Sequence, residues 1–295
     1  MPRSPLPRGL GVFEFIELLI AGLFLGVTYG LLAIPISILF VSTDKVDLAV
    51  GAYAVLAAAV AASVPGLIGI PLGLLAACLA AATVGLIFMA LDRQPHQDPL
   101  AAVLASFGFA LFLESFVLTL YGKNPFQRQL FSNFWSISGI HVSPQAPINS
   151  GIAVVLIVGL YLLLYRTPWG RDMRASAANQ RGALLVGIPV PMMQLSAYII
   201  AGLLAGVAGI LILYSTGAEF SAGLHFTLAG FGAAILYGLH SPFRGFLGGL
   251  TIGIVEALSN GYTSGFVASA APLLVVFLVL CFGRYSLEQV RGGRA

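Results

Sequence analysis

The sequence predicts an all-α, polytopic integral membrane protein with roughly 8–10 transmembrane helical segments. Three observations predict it. The chain of 295 residues is 59% hydrophobic and 8% charged, whereas a soluble domain carries about a quarter charged residues. Residues 18–43, 48–91, 142–165, 182–218 and 257–283 contain no Asp, Glu, Lys or Arg, and a spanning helix needs about 20 apolar residues. No run alternates as a strand would, which excludes a β-barrel. Helices remain, because lipid offers no partners to open backbone.

Taken in order, the helical segments are expected at 10–41, 48–64, 67–91, 100–121, 151–165, 194–216, 226–239, 245–260 and 266–283. The first is one long helix or two, with a break near Gly26–Gly30. The stretch 48–91 is long enough for two crossings, divided at Pro65-Gly66. The start, MPRSPLPRGLGVFEF, has basic residues before apolar ones but no small-residue cleavage site. It reads as the beginning of the mature protein. Cys78 and Cys281 sit in apolar runs and read as packing residues.

A polar island interrupts the apolar pattern at 166–190, RTPWGRDMRASAANQRGALLVGIPV. It holds Arg166, Arg171, Arg174 and Arg181, four of the chain's 14 Lys and Arg residues. Its Arg content places it in the cytoplasm. Asp92–Pro99, the turn at His240–Arg244 and the tail with Arg284, Arg291 and Arg294 then share that side. Loop 122–150, with Phe131, Phe134 and Trp135, lies outside. The net charge of +3 follows from this Arg bias and calls for no nucleic acid. Arg3 and Arg8 face outward if 10–41 is one segment and inward if it is two.

A weak repeat appears at an offset of 180 residues. AGLFLGVTYG (21–30) resembles AGLLAGVAGI (201–210), LAVGAYAVL (48–56) resembles LAGFGAAIL (228–236), and Gly73 aligns with Gly253. The expected topology makes it an inverted repeat, a transporter design; coincidence in a chain this rich in Ala, Gly and Leu is the other reading. Gly245, Gly249 and Gly253, and Gly202 with Gly206, form G-x-x-x-G steps that let helices approach closely. Packing inside one subunit is the simpler reading than a subunit interface.

Enzyme chemistry is missing. There is no H-E-x-x-H, no Cys/His cluster and no Walker A loop, and neither Lys45 nor Lys123 follows a phosphate-binding glycine pattern. Gly261-Tyr262-Thr263-Ser264-Gly265 superficially matches an intramembrane serine protease, but no His follows His240 to act as base. His96, His141, His225 and His240 are scattered. No metal or cofactor is expected, and the chain has no ATPase site of its own.

Ionisable residues at membrane depth are costly and mark candidate sites. Glu114 reads as a bond to a neighbouring helix. Asp44, Lys45 and Asp47 form a polar break that the repeat aligns with Glu219–Thr227. Paired breaks are where inverted-repeat folds place a substrate path, which makes Asp47, Gly51, Tyr53 and Glu256 the candidate path residues. An ordinary loop with a solvated ion pair is the alternative for the break, and a bond to a neighbouring helix is the alternative for Glu256.

The island itself reads as one short amphipathic helix, capped by Thr167, with Pro168 in its first turn and stopped by Gly187 and Pro189. Arg171, Arg174 and Arg181 share one side, beside a stripe of Met173, Ala177 and Leu184. Such a helix lies along a membrane or docks in a partner's groove.

The island also resembles the cytoplasmic loop of bacterial ABC-transporter permeases of the branched-chain amino acid type. That loop reads roughly R-T-x-x-G-R-x-x-R-A, then N, then A-x-L-x-G-I, matched here by Arg166, Thr167, Gly170, Arg171, Arg174, Ala175, Asn179, Ala183, Gly187 and Ile188. G-V-T-Y-G-L-L-A-I (26–34), Gly51-Ala52-Tyr53, A-G-L-L-A-G-V-A-G-I-L (201–211) and Glu256-Ala257-Leu258 extend the resemblance over most of the chain.

The resemblance implies that residues 1–295 form a single transmembrane permease domain of an importer in the bacterial cytoplasmic (inner) membrane. Its implied partners are a second permease subunit, two cytosolic ATP-binding subunits that use the ATP, an extracytoplasmic substrate-binding protein and membrane lipid. The implied coupling residues are Arg166, Gly170, Arg171, Arg174, Asn179 and Gly187. Two departures keep the cargo open. Val46-Asp47-Leu48-Ala49-Val50-Gly51 looks like a motif of the related ribose-type sugar permeases, and His240-Ser241-Pro242-Phe243-Arg244-Gly245 replaces the family's Gly-Ser-x-Pro-Gly turn. Branched-chain or other hydrophobic amino acids are expected, with ribose-type sugars, urea or short amides, or an ion-coupled secondary transporter as alternatives.

Overall fold

The computed structural model describes residues 10–92, 99–128, 135–137, 140–142 and 145–262, with isolated positions at 271, 274–275 and 277–278. Ten helices run through these residues: α1 (Leu10–Thr43), α2 (Val50–Ser63), α3 (Gly69–Leu91), α4 (Pro99–Tyr121), α5 (Gln145–Arg166), α6 (Pro168–Ala178), α7 (Gln180–Leu185), α8 (Val190–Ser215), α9 (Ala222–Leu236) and α10 (Pro242–Tyr262). A two-stranded antiparallel ribbon, β1 (Trp135–Ile137) with β2 (Ile140–Val142), sits in the long loop. Five helices (α1, α3, α4, α5 and α8) are long and apolar enough to cross a membrane by length and composition. This is a multi-pass, all-α membrane fold. Most of the segment expected at 266–283, Cys281 and the side chains of Phe131, Phe134 and Trp135 lie outside the described residues.

One open alternative is settled and two expectations change. The first segment is one helix of 34 residues carrying Pro35 inside it. It does not break at Gly26–Gly30, because those glycines serve packing. A Cβ on Gly26 would lie 2.6 Å from Leu250 Cα, and one on Gly253 would run into the backbone of Gly26. The two helices thus meet backbone to backbone within one subunit, as G-x-x-x-G steps permit.

The fifth helix starts at Gln145, six residues before the expected 151. Its first turn is polar, which hid it, but Gln145 and Asn149 are buried. The Gln145 amide donates to Asn149 Oδ1 at 2.8 Å, and Asn149 donates to the Leu211 carbonyl at 3.4 Å.

The island is two helices, α6 and α7, meeting at Asn179. The break carries Leu184 into the open (56% exposed) and seats Ala183 inside (4%), so the expected stripe of Met173, Ala177 and Leu184 does not form.

Ring contacts and hydrogen bonds separate the two ends of the bundle. At one end Lys45 pairs with Asp92, Phe40 packs edge-on against His240, and Tyr165, just before the island, meets Phe243. At the other, Arg128 donates to the carbonyls of Ala62 (3.0 Å) and Val64 (2.7 Å). There Phe126 and Ala218 also exchange backbone hydrogen bonds at 2.8 and 2.9 Å. α1 therefore ends where α8 begins, and the two run in opposite directions.

Packing follows the repeat. α1 lies on α10 as α8 lies on α3; α2 lies on α3 and α8 as α9 lies on α10 and α1. A Cβ on Gly22 would meet Ile254 at 2.7 Å and Ala257 at 3.0 Å, and one on Gly206 would meet Ala77 at 3.0 Å and Leu74 at 3.3 Å. Positions 254 and 257 lie 180 residues after 74 and 77, in line with the sequence offset. Gly22, however, corresponds spatially to Gly206 rather than Gly202, a slip of one helical turn. An inverted arrangement of α1–α3 and α8–α10 results.

Candidate functional site

The short helices α2 and α9, of 14 and 15 residues, are about 21–23 Å long at 1.5 Å per residue, less than the bilayer core. Their N-termini meet inside the bundle. The Gly51 amide donates to Thr227 Oγ1 at 2.9 Å, and the Thr227 hydroxyl reaches the carbonyls of Leu48 (3.0 Å) and Gly223 (3.1 Å). A Cβ on Gly51 would run into the Gly223 carbonyl, so this contact requires glycine. Thr227 was legible in the sequence only as the far edge of the break aligned with Asp47.

Asp47 stands at the start of α2, 3% exposed. One carboxylate oxygen accepts from the Ala49 amide at 2.8 Å and the other from the Tyr53 hydroxyl at 2.9 Å. Two donors, one at a helix N-terminus, stabilise a buried carboxylate. Tyr198 of α8, 1% exposed, packs edge-on against Phe88 at 5.7 Å, and Gly85 leaves room for its ring. Ser106 of α4 accepts from the Leu48 amide at 3.1 Å. Lys45 pairs with Asp92 rather than with its neighbours Asp44 or Asp47, and lies 5.4 Å from the Phe88 ring centroid. Asp47 is therefore built into the core, whereas Asp44 is exposed and the Lys45–Asp92 pair stays partly open to solvent.

The structure brings Asp47, Gly51 and Tyr53 together and leaves Glu256 apart. Glu256, on α10, interacts with the Tyr29 phenol of α1, and its Oε2 is buried without a hydrogen-bond partner among the described residues. Tyr29 packs edge-on to His225 at 6.4 Å. Tyr29, Ser106 and Tyr198 were not singled out from the sequence, since single polar residues in apolar helices carry no pattern. Glu114 does not bond a neighbouring helix among the described residues. It lines a cleft between α2, α4 and α9.

At the island, Thr167 Oγ1 accepts from the Gly170 amide at 3.0 Å, and Pro168 opens α6, as expected. Gly170 is buried where α6 folds back on α5: a Cβ there would strike the carbonyls of Leu163 and Leu164. Asn179 Oδ1 accepts from the Gly182 amide at 2.9 Å and caps α7. Gly187 ends the unit with φ 85°, a conformation glycine adopts freely. Arg166, Arg171, Arg174 and Arg181 are exposed, and Arg174 lies over the Tyr165 ring at 4.5 Å. Beyond them Leu184, Leu185 and Val186 stand 56%, 89% and 75% exposed. α6 is thus anchored through Gly170 and Met173, and α7 presents an apolar tip.

Comparison with known proteins adds to this geometry. The profile of the family described as "Branched-chain amino acid transport system / permease component" matches residues 18–282. The probable branched-chain amino acid transport permease protein LivH of Methanocaldococcus jannaschii is 28% identical over 283 residues, covering 88% of each chain. The high-affinity branched-chain amino acid transport system permease protein LivH of Escherichia coli (strain K12) is 28% identical over 306 residues, covering 94% of this chain and 98% of that one. The ribose import permease protein RbsC of Bacillus subtilis (strain 168) is 31% identical over 263 residues, covering 85% and 78%.

Proposed function

This chain belongs to the permease-component family of branched-chain amino acid transport systems, and from that premise we propose that it is the membrane subunit of an ATP-driven importer of branched-chain or other hydrophobic amino acids. The observation that carries the reading is the near end-to-end match to permeases named for that cargo. The chain works in the cytoplasmic membrane. Its partners are a second permease subunit, two cytosolic ATP-binding subunits and an extracytoplasmic binding protein. ATP is bound and hydrolysed by those partners; this chain holds no cofactor.

The α6–α7 unit is the coupling element. Leu184–Val186 is an exposed apolar patch at the Arg-rich end of the bundle, a surface that suits a protein partner. Because α6 is seated on α5 through Gly170, force on α7 passes into a spanning helix. Closing of the ATPases would then shift the balance between outward- and inward-facing states of the inverted halves. The Arg128 and Phe126–Ala218 end faces outward toward the binding protein, and α1, being a single helix, starts on that side. Exposed Leu75, Leu79, Leu104 and Val155 meet lipid or the second permease.

Ribose-type cargo is the second reading. The 31% identity to the ribose permease and the Val46–Gly51 motif favour it. Uptake into vesicles carrying the chain with its ATPase and binding protein, against leucine, ribose and urea, tests both. Leucine uptake that needs ATP and no ion gradient is expected. Uptake of ribose alone, or uptake driven by an ion gradient without ATP, overturns the amino-acid importer.

A further inference from the structure

Of the three carboxylates at membrane depth that the sequence singled out, two are engaged. Asp47 has two donors and Glu256 faces Tyr29. Glu114, half-buried on α4, makes no hydrogen bond or ion pair among the described residues. It lies about 10 Å from the outer end of α4 at 1.5 Å per residue, where an unpaired carboxylate is expensive and marks function.

Its surroundings define a ligand. Glu114 shares a cleft with Ala52, Val55, Val117, Phe220 and Leu224, a lining suited to an aliphatic side chain. The far wall is the first turn of α9. Ser221 provides no side-chain cap there, and the amides of Gly223 and Leu224, both at the cleft, have no partner within the helix. The carboxylate of a ligand whose ammonium meets Glu114 suits those amides and the positive helix end. Leu111 and Leu224, 45% and 38% exposed, stand at the mouth.

We propose that the α2–α4–α9 cleft is a transient binding site for an aliphatic α-amino acid: Glu114 takes the ammonium, the Gly223 and Leu224 amides take the carboxylate, and the apolar walls take the side chain. This rests on the amino-acid reading above. A sugar has no cation for Glu114. In this conformation the cleft leaves about 10 Å³, room for one water, so the site is occluded. Occupancy requires α4 to move away. α4 leans mainly on α2, with only edge contacts to α3 and α9, which leaves it the freedom to do so.

The test is a Leu224→Cys reporter in a chain carrying Cys78→Ser and Cys281→Ser, assembled with its partner subunits in nanodiscs and labelled with N-ethylmaleimide. L-leucine is expected to slow labelling about tenfold, the scale of one hydrogen bond to a charged group. 4-Methylpentanoate, which lacks the ammonium, and ribose leave the rate unchanged. Adding Glu114→Gln abolishes the protection, and Glu114→Asp keeps part of it. Leu111→Cys provides a second reporter should the first fail to assemble. Protection that survives Glu114→Gln, equal protection by 4-methylpentanoate, or none by leucine overturns the site. So does loss of permease pairing in Glu114→Gln, since the carboxylate would then serve a subunit contact. Vesicle uptake by the unmodified importer separates the two readings: leucine uptake without protection sinks the site alone, and ribose uptake sinks the cargo assignment.

Discussion

Gly51 and Thr227, 176 residues apart in sequence, are joined by a 2.9 Å hydrogen bond from the Gly51 amide to the Thr227 hydroxyl. Two short helices thereby start against each other in the middle of the bundle. Their first-turn amides would otherwise lack partners in a medium that supplies none. Thr227 answers one such amide, and its single proton serves the Leu48 and Gly223 carbonyls in turn.

Thr227→Val removes that hydroxyl while keeping its shape. A loss of about 1–3 kcal/mol follows from leaving a buried amide unanswered. Thr227→Ser is expected to hold stability. Thermal unfolding in detergent, followed by size-exclusion chromatography, reads the difference. Equal midpoints for wild type and Thr227→Val would show that the junction contributes nothing.

Gly51→Ala puts a methyl group into the Gly223 carbonyl. Overpacking of this kind costs about 1–3 kcal/mol, so a lower yield of folded protein is expected. Ala52→Gly, one residue along, should be milder. The comparison is made on folded protein recovered from membranes.

Tyr53→Phe leaves Asp47 with the Ala49 amide alone. Stability falls by about 1–3 kcal/mol, because the carboxylate stays buried. The pair Asp47→Asn with Tyr53→Phe is expected to recover part of the loss, because no charge is then left short of a donor. A double-mutant cycle in the same unfolding measurement checks it; simple additivity would argue that the two residues do not act together.

Leu185→Glu, at the most exposed apolar position of α7, weakens ATPase binding by about tenfold or more if this tip is an interface hot spot. Insertion stays intact. Arg171→Glu and Arg174→Glu act in the same direction through the charged rim. Pull-down of the ATPases by the tagged chain is the measurement, and undiminished recovery from all three variants would remove the coupling role from α6–α7.

Asn179→Ala removes the cap of α7, worth about 1 kcal/mol, and frays a helix of only six residues. ATPases still bind but substrate-stimulated ATP hydrolysis falls. Asn179→Asp, which can cap equally well, restores it.

Much was decided by composition and local pattern alone. Lipid acts on residues one at a time, so charge-free runs marked the helices and arginines marked the island. Thr167, Pro168 and Gly187 set the island's ends, because capping and left-handed backbone are settled within a few residues. The glycine steps foretold close helix packing. Tertiary structure decided what depends on distant partners. Gln145 and Asn149 begin a helix in an apparent loop because Leu211 receives the Asn149 amide. Asn179 splits the island by adopting an extended backbone and capping α7. Asp47 is satisfied by Ala49 and Tyr53, whereas Glu114 meets no partner among the described residues. Sequence places a polar group at membrane depth; only the packed neighbours determine whether it meets a partner, and so whether it serves the fold or remains available to a ligand.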